Sequence, residues 1–305
     1  MRKRLFCLDG LFKSFKRNTS KLTALVLTMS LICPLTSYAT EVKWDLYDSK
    51  WVCYVNSRRV YNNLVNYKGA TYFIKQDGYM ASNEIIGDDY YSIDGKLVPM
   101  NEVDKECNRI IGKLLLGEIS WIYNDTDGTA VLSQLNHNRL FTNVRLHAQQ
   151  KESLQERMII DSPEVISEVL RQYLTTDEMI TKIVEPVLYS SDSDKIKYIS
   201  EWIKSKFTYS YDNMYSVYDA LNSNESVCSG YASMFKAMCN KVGIQCDVVT
   251  GTANNTQGIY PHAWNKVVLG GMDYYFDICW NDMSNGVDKY WFMTLEQISA
   301  DHFAK

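Results

Sequence analysis

The chain has no excess of basic charge to offer a nucleic acid. Its 305 residues carry 32 Lys and Arg against 36 Asp and Glu, and the bases crowd one end. Residues 1–39 hold seven of those bases and one acid, which leaves 25 against 35, a net of −10, over the rest. A surface of that sign repels phosphate backbones, so no nucleic-acid partner is expected. Disulfide density is low as well. Beyond residue 39 six cysteines remain, Cys53, Cys107, Cys228, Cys239, Cys246 and Cys279, too few for a disulfide scaffold in a chain of this length. No pair of them has metal-ligand spacing with a histidine nearby, so neither metal nor cofactor is expected. A long apolar run is missing too: Leu22 to Leu35 falls short of the roughly 20 residues that span a bilayer.

That short run reads as part of a targeting segment. Arg2, Lys3, Arg4, Lys13, Lys16, Arg17 and Lys21 precede it, and Ser37-Tyr38-Ala39 closes it with small residues where a signal peptidase reads. The expectation is a signal peptide over residues 1–39, cleaved after Ala39. The mature bacterial protein would then be secreted, extracellular or associated with the cell wall, with no stable membrane insertion after cleavage. A lipid anchor at Cys33, which bulky Ile32 precedes, and an uncleaved anchor are the alternatives.

What the chain does have lies between Val227 and Asp282. Tyr231, Met234, Phe235, Met238 and Val242 recur at helical spacing after Glu225-Ser226, which reads as a helix start. Gly243 falls where a left-handed cap would close that helix. Cys228 thus sits at the helix N-terminus, where the macrodipole and free N–H groups favour thiolate, the attacking form. Read alone, a buried cysteine opening a core helix explains the position as well. Gln245 to Thr252 reads as a strand and Ala253 to Tyr260 as a polar loop. His262 begins a second strand that runs to Leu269, Gly270-Gly271 makes a tight hairpin turn, and Met272 to Cys279 returns as a third strand carrying Asp277. In such a hairpin Asp277 can orient His262, and the imidazole can take the thiol proton.

Cys228-Ser229-Gly230-Tyr231-Ala232, His262-Ala263-Trp264 and Asp277-Ile278-Cys279-Trp280 together resemble the transglutaminase-like superfamily. The one departure is Cys279, which stands where threonine is usual. The resemblance covers Asp192 to Asp282, about a third of the chain. It implies an α+β fold with a papain-like core, a cysteine helix packed on an antiparallel sheet. It also implies a catalytic triad of Cys228, His262 and Asp277 acting on amide bonds through a thioester, with a peptide or protein as substrate. The superfamily includes thiol peptidases, amine transferases and inactive binding modules. Hydrolysis by a peptidase or amidase is the favoured reading, transglutamination the runner-up, and a non-catalytic surface module the third.

Upstream, residues 40–102 are rich in Tyr, Asn, Asp and Gly. Tyr72-Phe73-Ile74-Lys75-Gln76-Asp77-Gly78-Tyr79-Met80 can be laid over Tyr90-Tyr91-Ser92-Ile93-Asp94-Gly95-Lys96-Leu97, each a hairpin turning at Asp-Gly. A degenerate copy falls in Trp51 to Lys68, and Trp121-Ile122-Tyr123 with Asp127-Gly128 is an outlier. These units resemble the cell-wall-binding repeats of Gram-positive surface proteins, which implies a wall polymer as a partner. A small β domain packed on the enzyme is the competing reading.

Residues 103–160 form a connecting α/β segment, with a helix from Val103 to Leu116, strands within Ala130 to Ala148, and no role for His137 or His147. The catalytic domain spans residues 161–305. It opens on a helix capped at Asp161-Ser162-Pro163-Glu164, then a second helix after Thr175-Thr176 ending near Pro186, then a third from near Asp192. Tyr209 and Tyr211 precede the cysteine helix as candidate supports of an oxyanion site. The backbone N–H of Cys228 is the preferred donor.

Overall fold

The computed structural model describes residues 41–117, 120–123, 146–150, 156–160, 163–211, 216–284 and 287–305. The targeting segment, His137 and Asp127-Gly128 lie outside them. Among the described residues no helix is long and apolar enough to cross a membrane. The chain divides into two units, one up to Ala81 and one from Ser82 to Lys305.

The first unit is built of hairpins. Strands β1 (Val42–Tyr47), β2 (Lys50–Val55) and β3 (Arg58–Arg59) form one antiparallel sheet, and β4 (Asn63–Tyr67) pairs with β5 (Ala70–Ile74). Asp48-Ser49 and Asn56-Ser57 turn with both residues at positive φ, the two-residue geometry that suits strand twist. Cys53, Val65, Ile74 and Met80 are buried together, and Trp44 packs edge-on against Tyr72 at 5.1 Å.

In the second unit, β6 (Glu84–Ile86), β7 (Asp89–Tyr91) and β8 (Leu97–Val98) form a small sheet. The two Asp-Gly pairs make the same turn in their respective units. The Gly78 N–H donates to Lys75 O at 2.9 Å and the Lys75 N–H to Tyr79 O at 2.8 Å. The Gly95 N–H donates to Ser92 O, and the Ser92 N–H to Lys96 O, each at 2.9 Å. Both glycines sit near φ 80°, which other residues rarely adopt.

Helix α1 (Glu102–Leu115) follows, capped by Asn101, whose side chain accepts from the Asp104 N–H. Next come β9 (Ser120–Tyr123), β10 (Leu146–Gln150), which contains His147, and β11 (Glu156–Ile160), ordered β10-β11-β9 in one sheet. One helix, α2 (Pro163–Val184), then replaces the two expected on either side of Thr175-Thr176. Threonine costs a helix only a few tenths of a kcal/mol, and no Gly or Pro interrupts the run. Burial of Val169, Thr176, Ile180 and Val184 along one face carries the helix through. A 3₁₀ turn at Glu185–Val187 ends it, and Ser191 caps α3 (Asp192–Lys206).

Strand β12 (Thr208–Tyr209) leads through α4 (Val217–Ser223) to β13 (Glu225–Ser226), with which it pairs in parallel. Glu225-Ser226 is therefore an extended link and not the expected helix start. Asn224, left-handed at φ 59°, ends α4 immediately before it, and Ser226 O accepts from the Ser210 N–H. Helix α5 (Cys228–Lys241) starts directly at the cysteine, after Val227. All five expected apolar positions of α5 and its end, Tyr231 to Val242, are buried, and Gly243 turns left-handed at φ 82°.

The sheet beneath α5 is antiparallel. Strands β14 (Cys246–Asn255), β15 (Gly258–Leu269) and β16 (Met272–Phe276) form a meander, and β17 (His302–Ala304) adds to the outer side of β14. Packing of α5 on β14 and β15 gives the α+β arrangement of a cysteine helix on an antiparallel sheet. Gly270-Gly271 makes the expected turn, both at positive φ. The expected loop from Ala253 to Tyr260 is instead the tip of the β14–β15 hairpin, paired as far as Asn255 and Gly258. Asn254, Asn255, Ile259 and Tyr260 are exposed there, so neither face alternates and the polar run masks the strand. The third strand also stops short. Asp277 caps α6 (Ile278–Met283), and Cys279 is buried in that helix rather than on a strand. A final short helix, α7 (Leu295–Ile298), has a capping box at Thr294 and Gln297.

Candidate active site

Each motif residue is delivered by a different element. Cys228 is the first residue of α5 and half-buried. Helix geometry leaves the N–H groups of that first turn without intrahelical acceptors, so partial positive charge collects beside the sulfur. His262 lies well inside β15, its fifth residue rather than its beginning, and is buried. Asp277 is wholly buried where β16 gives way to α6.

The three side chains converge. His262 Nε2 donates to Asp277 Oδ2 at 2.8 Å. The Cys228 thiol group also acts on this ring and favours its protonated form, and since Nε2 is spent on Asp277, Nδ1 is the nitrogen left to serve the thiol. Asp277 Oδ1 accepts the Trp280 N–H at 3.0 Å, so α6 fixes the carboxylate plane. Trp280 covers the imidazole, with ring centroids 4.8 Å apart.

Electrostatics follow from this packing. Burial works against the His262 imidazolium, yet hydrogen bonds to Asp277 and Cys228 outweigh it, and the pKa is pushed up to about 9. Burial likewise opposes the Asp277 carboxylate, but hydrogen bonds from His262 and His302 hold it below the usual carboxylate range. Burial pushes the thiols of Cys239 and Cys279 well up. Those sulfurs are protonated and inert at neutral pH.

His302 is the residue that sequence reasoning missed. Its Nε2 lies 3.1 Å from Asp277 Oδ2 and its Nδ1 lies 2.6 Å from Asp301 Oδ1. No local pattern marks it, since it stands alone near the end of the chain in a three-residue strand. Only the pairing of β17 with β14, which sets Ala253 opposite His302, brings it to the site. His262, Asp277 and His302 gather donor atoms within 4.8 Å of one another. Their spacings are those of N–H···O hydrogen bonds. Tyr209 packs on the main core, while Tyr211 is 84% exposed and meets Tyr209 edge-on at 5.2 Å.

A buried carboxylate, a raised imidazole and a thiol at a helix N-terminus are the groups that nucleophilic thiol chemistry requires. Residues 181–280 match the family model of the transglutaminase-like superfamily, so this stretch is a transglutaminase-like domain. The chain is similar to Kyphoscoliosis peptidase of Mus musculus, with 27% identity over 124 residues, 35% of this chain and 19% of the relative. It is similar to the Homo sapiens protein of the same name, with 27% identity over 119 residues, 34% of this chain and 18% of the relative. The chain thus spans about a fifth of the length of these curated relatives. A crystal structure of a TGase shares 16% identity over 44% of this chain and 43% of its own, with a TM-score of 0.31.

Proposed function

We propose that this protein is a secreted cysteine enzyme that hydrolyses amide bonds in peptides at the bacterial cell surface. The observation that carries the reading is the chain of contacts from the Cys228 thiol through His262 to Asp277. Cys228 Sγ attacks the amide carbonyl carbon after its proton passes to His262. The tetrahedral oxyanion is received by the N–H of Cys228 at the start of α5. His262 then returns the proton to the departing amine, and a thioester remains. Water attacks the thioester, His262 takes one of its protons, and collapse expels the thiol and releases the acid. Asp277 orients the ring throughout and stabilises the imidazolium.

Water is favoured over an amine as acceptor because Cys228 is only half-buried. An amine-selective enzyme must exclude water, present at about 55 M, from its thioester. The peptidase name of the two curated relatives supports the same choice. Secretion rests on the basic and apolar pattern of residues 1–39, and wall association on the repeated Asp-Gly units.

The test has two arms. Limiting iodoacetamide at mildly acidic pH should modify Cys228 well before Cys239, Cys246 or Cys279, and His262→Ala should slow it. Equal rates for all four thiols sink the triad. Incubation with a peptide amide and millimolar primary amine should then yield mainly the acid by mass. Mainly amine adduct would make the enzyme a transferase and leave the roles of the three residues intact.

A further inference from the structure

His302 is wholly buried, yet both of its ring nitrogens face carboxylate oxygens. A neutral imidazole carries one N–H and can donate to only one of them. The other nitrogen would then set its lone pair against an anionic oxygen at hydrogen-bond distance. Both carboxylates already accept from other donors, His262 and the Trp280 N–H on Asp277 and Lys289 on Asp301, which favours their ionised forms. Asp301 Oδ2 is occupied on its other side by Lys289 Nζ at 2.8 Å and by the Tyr290 hydroxyl at 2.9 Å. Aromatic rings complete the enclosure. Trp280, Trp264 and Tyr290 have centroids 4.8, 4.9 and 5.1 Å from that of His302. Aromatic faces at this distance can also stabilise a cation. The titratable and charged groups around His302 are His262, Asp277, Asp301, Tyr290 and, through Asp301, Lys289.

We propose that His302 is a positioning residue: an imidazolium that keeps Asp277 ionised and aimed at His262 when His262 has given up its own proton. The inference rests on the triad reading above. In the acyl-enzyme stage His262 is neutral, and Asp277 without a second cation would be a buried charge opposed only by neutral donors. A partner of that kind is costly to leave unmatched in a low-dielectric interior. His302 supplies the match at Asp277 Oδ2, the same oxygen that His262 engages. It also shares the Asp277 charge, and its ring centre lies 5.5 Å from that of His262. The fixed cation therefore restrains how tightly His262 holds its proton, which a ring serving as both base and acid requires.

Two measurements on the full chain test this. Histidine-ring ¹H–¹⁵N correlation spectra of the unaltered protein should show both nitrogens of His302 protonated at neutral pH. A ring nitrogen of His302 free of its proton at neutral pH overturns the proposal. The second measurement is the pH profile of Cys228 alkylation by iodoacetamide, before and after His302→Gln. Glutamine keeps a donor and removes the charge, so the alkaline inflection, where His262 loses its proton, should move up by about one unit. An unmoved inflection in a folded variant overturns the proposal. Asp277→Asn is the comparison: if it too leaves the profile unchanged, the triad itself has failed, whereas failure of His302→Gln alone leaves the triad standing. If His302→Gln does not fold, the ring spectra of the unaltered protein decide.

Discussion

At the scale of single residues, the folded protein raises His262 from an ordinary 6.5 to about 9 in a setting whose burial alone would lower it. A histidine shifted upward stabilises the fold most while both folded and unfolded forms are protonated. That contribution is complete below the unfolded value of 6.5 and disappears as pH rises through about 9. Its ceiling is about 3 kcal/mol, from 1.36 kcal/mol for each unit. Asp277 works in the opposite direction. Its depressed pKa adds stability above the ordinary 3.8, lost as pH falls through its folded value. Urea midpoints should therefore fall between about pH 6.5 and 9, and His262→Gln should flatten that decline. An unchanged slope in the variant would mean that His262 is not the titrating group. Cys228, His262 and Asp277 were each legible because a short local pattern surrounds them. His302 was not, because the carboxylate it shares with His262 lies 25 residues away in sequence and no local pattern links the two.

At the scale of elements, the position of β17 depends on Gly251. This glycine sits opposite His262 on one side and Ala304 on the other. A Cβ there would lie 2.0 Å from the Phe303 carbonyl oxygen, so Gly251→Ala must push β17 outward. The expected cost is about 1–3 kcal/mol. His302 should leave Asp277 with the strand, so the ring spectra should change along with the melting temperature. A variant with unaltered melting and unaltered ring signals would show that β14 and β17 tolerate the separation. The cysteine helix and the Gly-Gly turn could be read from sequence, since apolar spacing and left-handed glycines are local signals. Several element boundaries could not, the helix start expected at Glu225-Ser226 among them. Thr175-Thr176 looks like a cap until burial of one face carries α2 through it. The hairpin tip at Asn255–Gly258 has two exposed faces and so no alternation. Asp277 ends its strand because its side chain accepts the Trp280 N–H, a bond that strand periodicity does not announce.

At the scale of the whole molecule, α5 is moored by lysines from or to three neighbouring helices. Lys236 pairs with Asp104 of α1 at 2.6 Å, Lys241 pairs with Asp177 of α2, and Lys195 of α3 donates to Val242 O at 3.1 Å. These moorings, together with β6–β8, lie within the unit that begins at Ser82. A protein starting at Ser82 should therefore keep selective alkylation of Cys228. If the hairpins up to Ala81 bind wall polymer, it should no longer sediment with purified walls. Unchanged sedimentation would place the wall contact in the second unit, and loss of alkylation would show that the first unit supports the fold of the second. Asp277 has a consequence for descent as well as for turnover. The carboxylate that orients His262 also caps α6 and hydrogen-bonds the buried His302, whereas Cys228 is half-exposed and starts its helix without help from its own side chain. Loss of the thiol should therefore cost the structure little, whereas loss of the acid removes the cap of α6 and a partner of both His262 and His302. In a descendant without the thiol, the aspartate would persist for the helix and the histidines it holds.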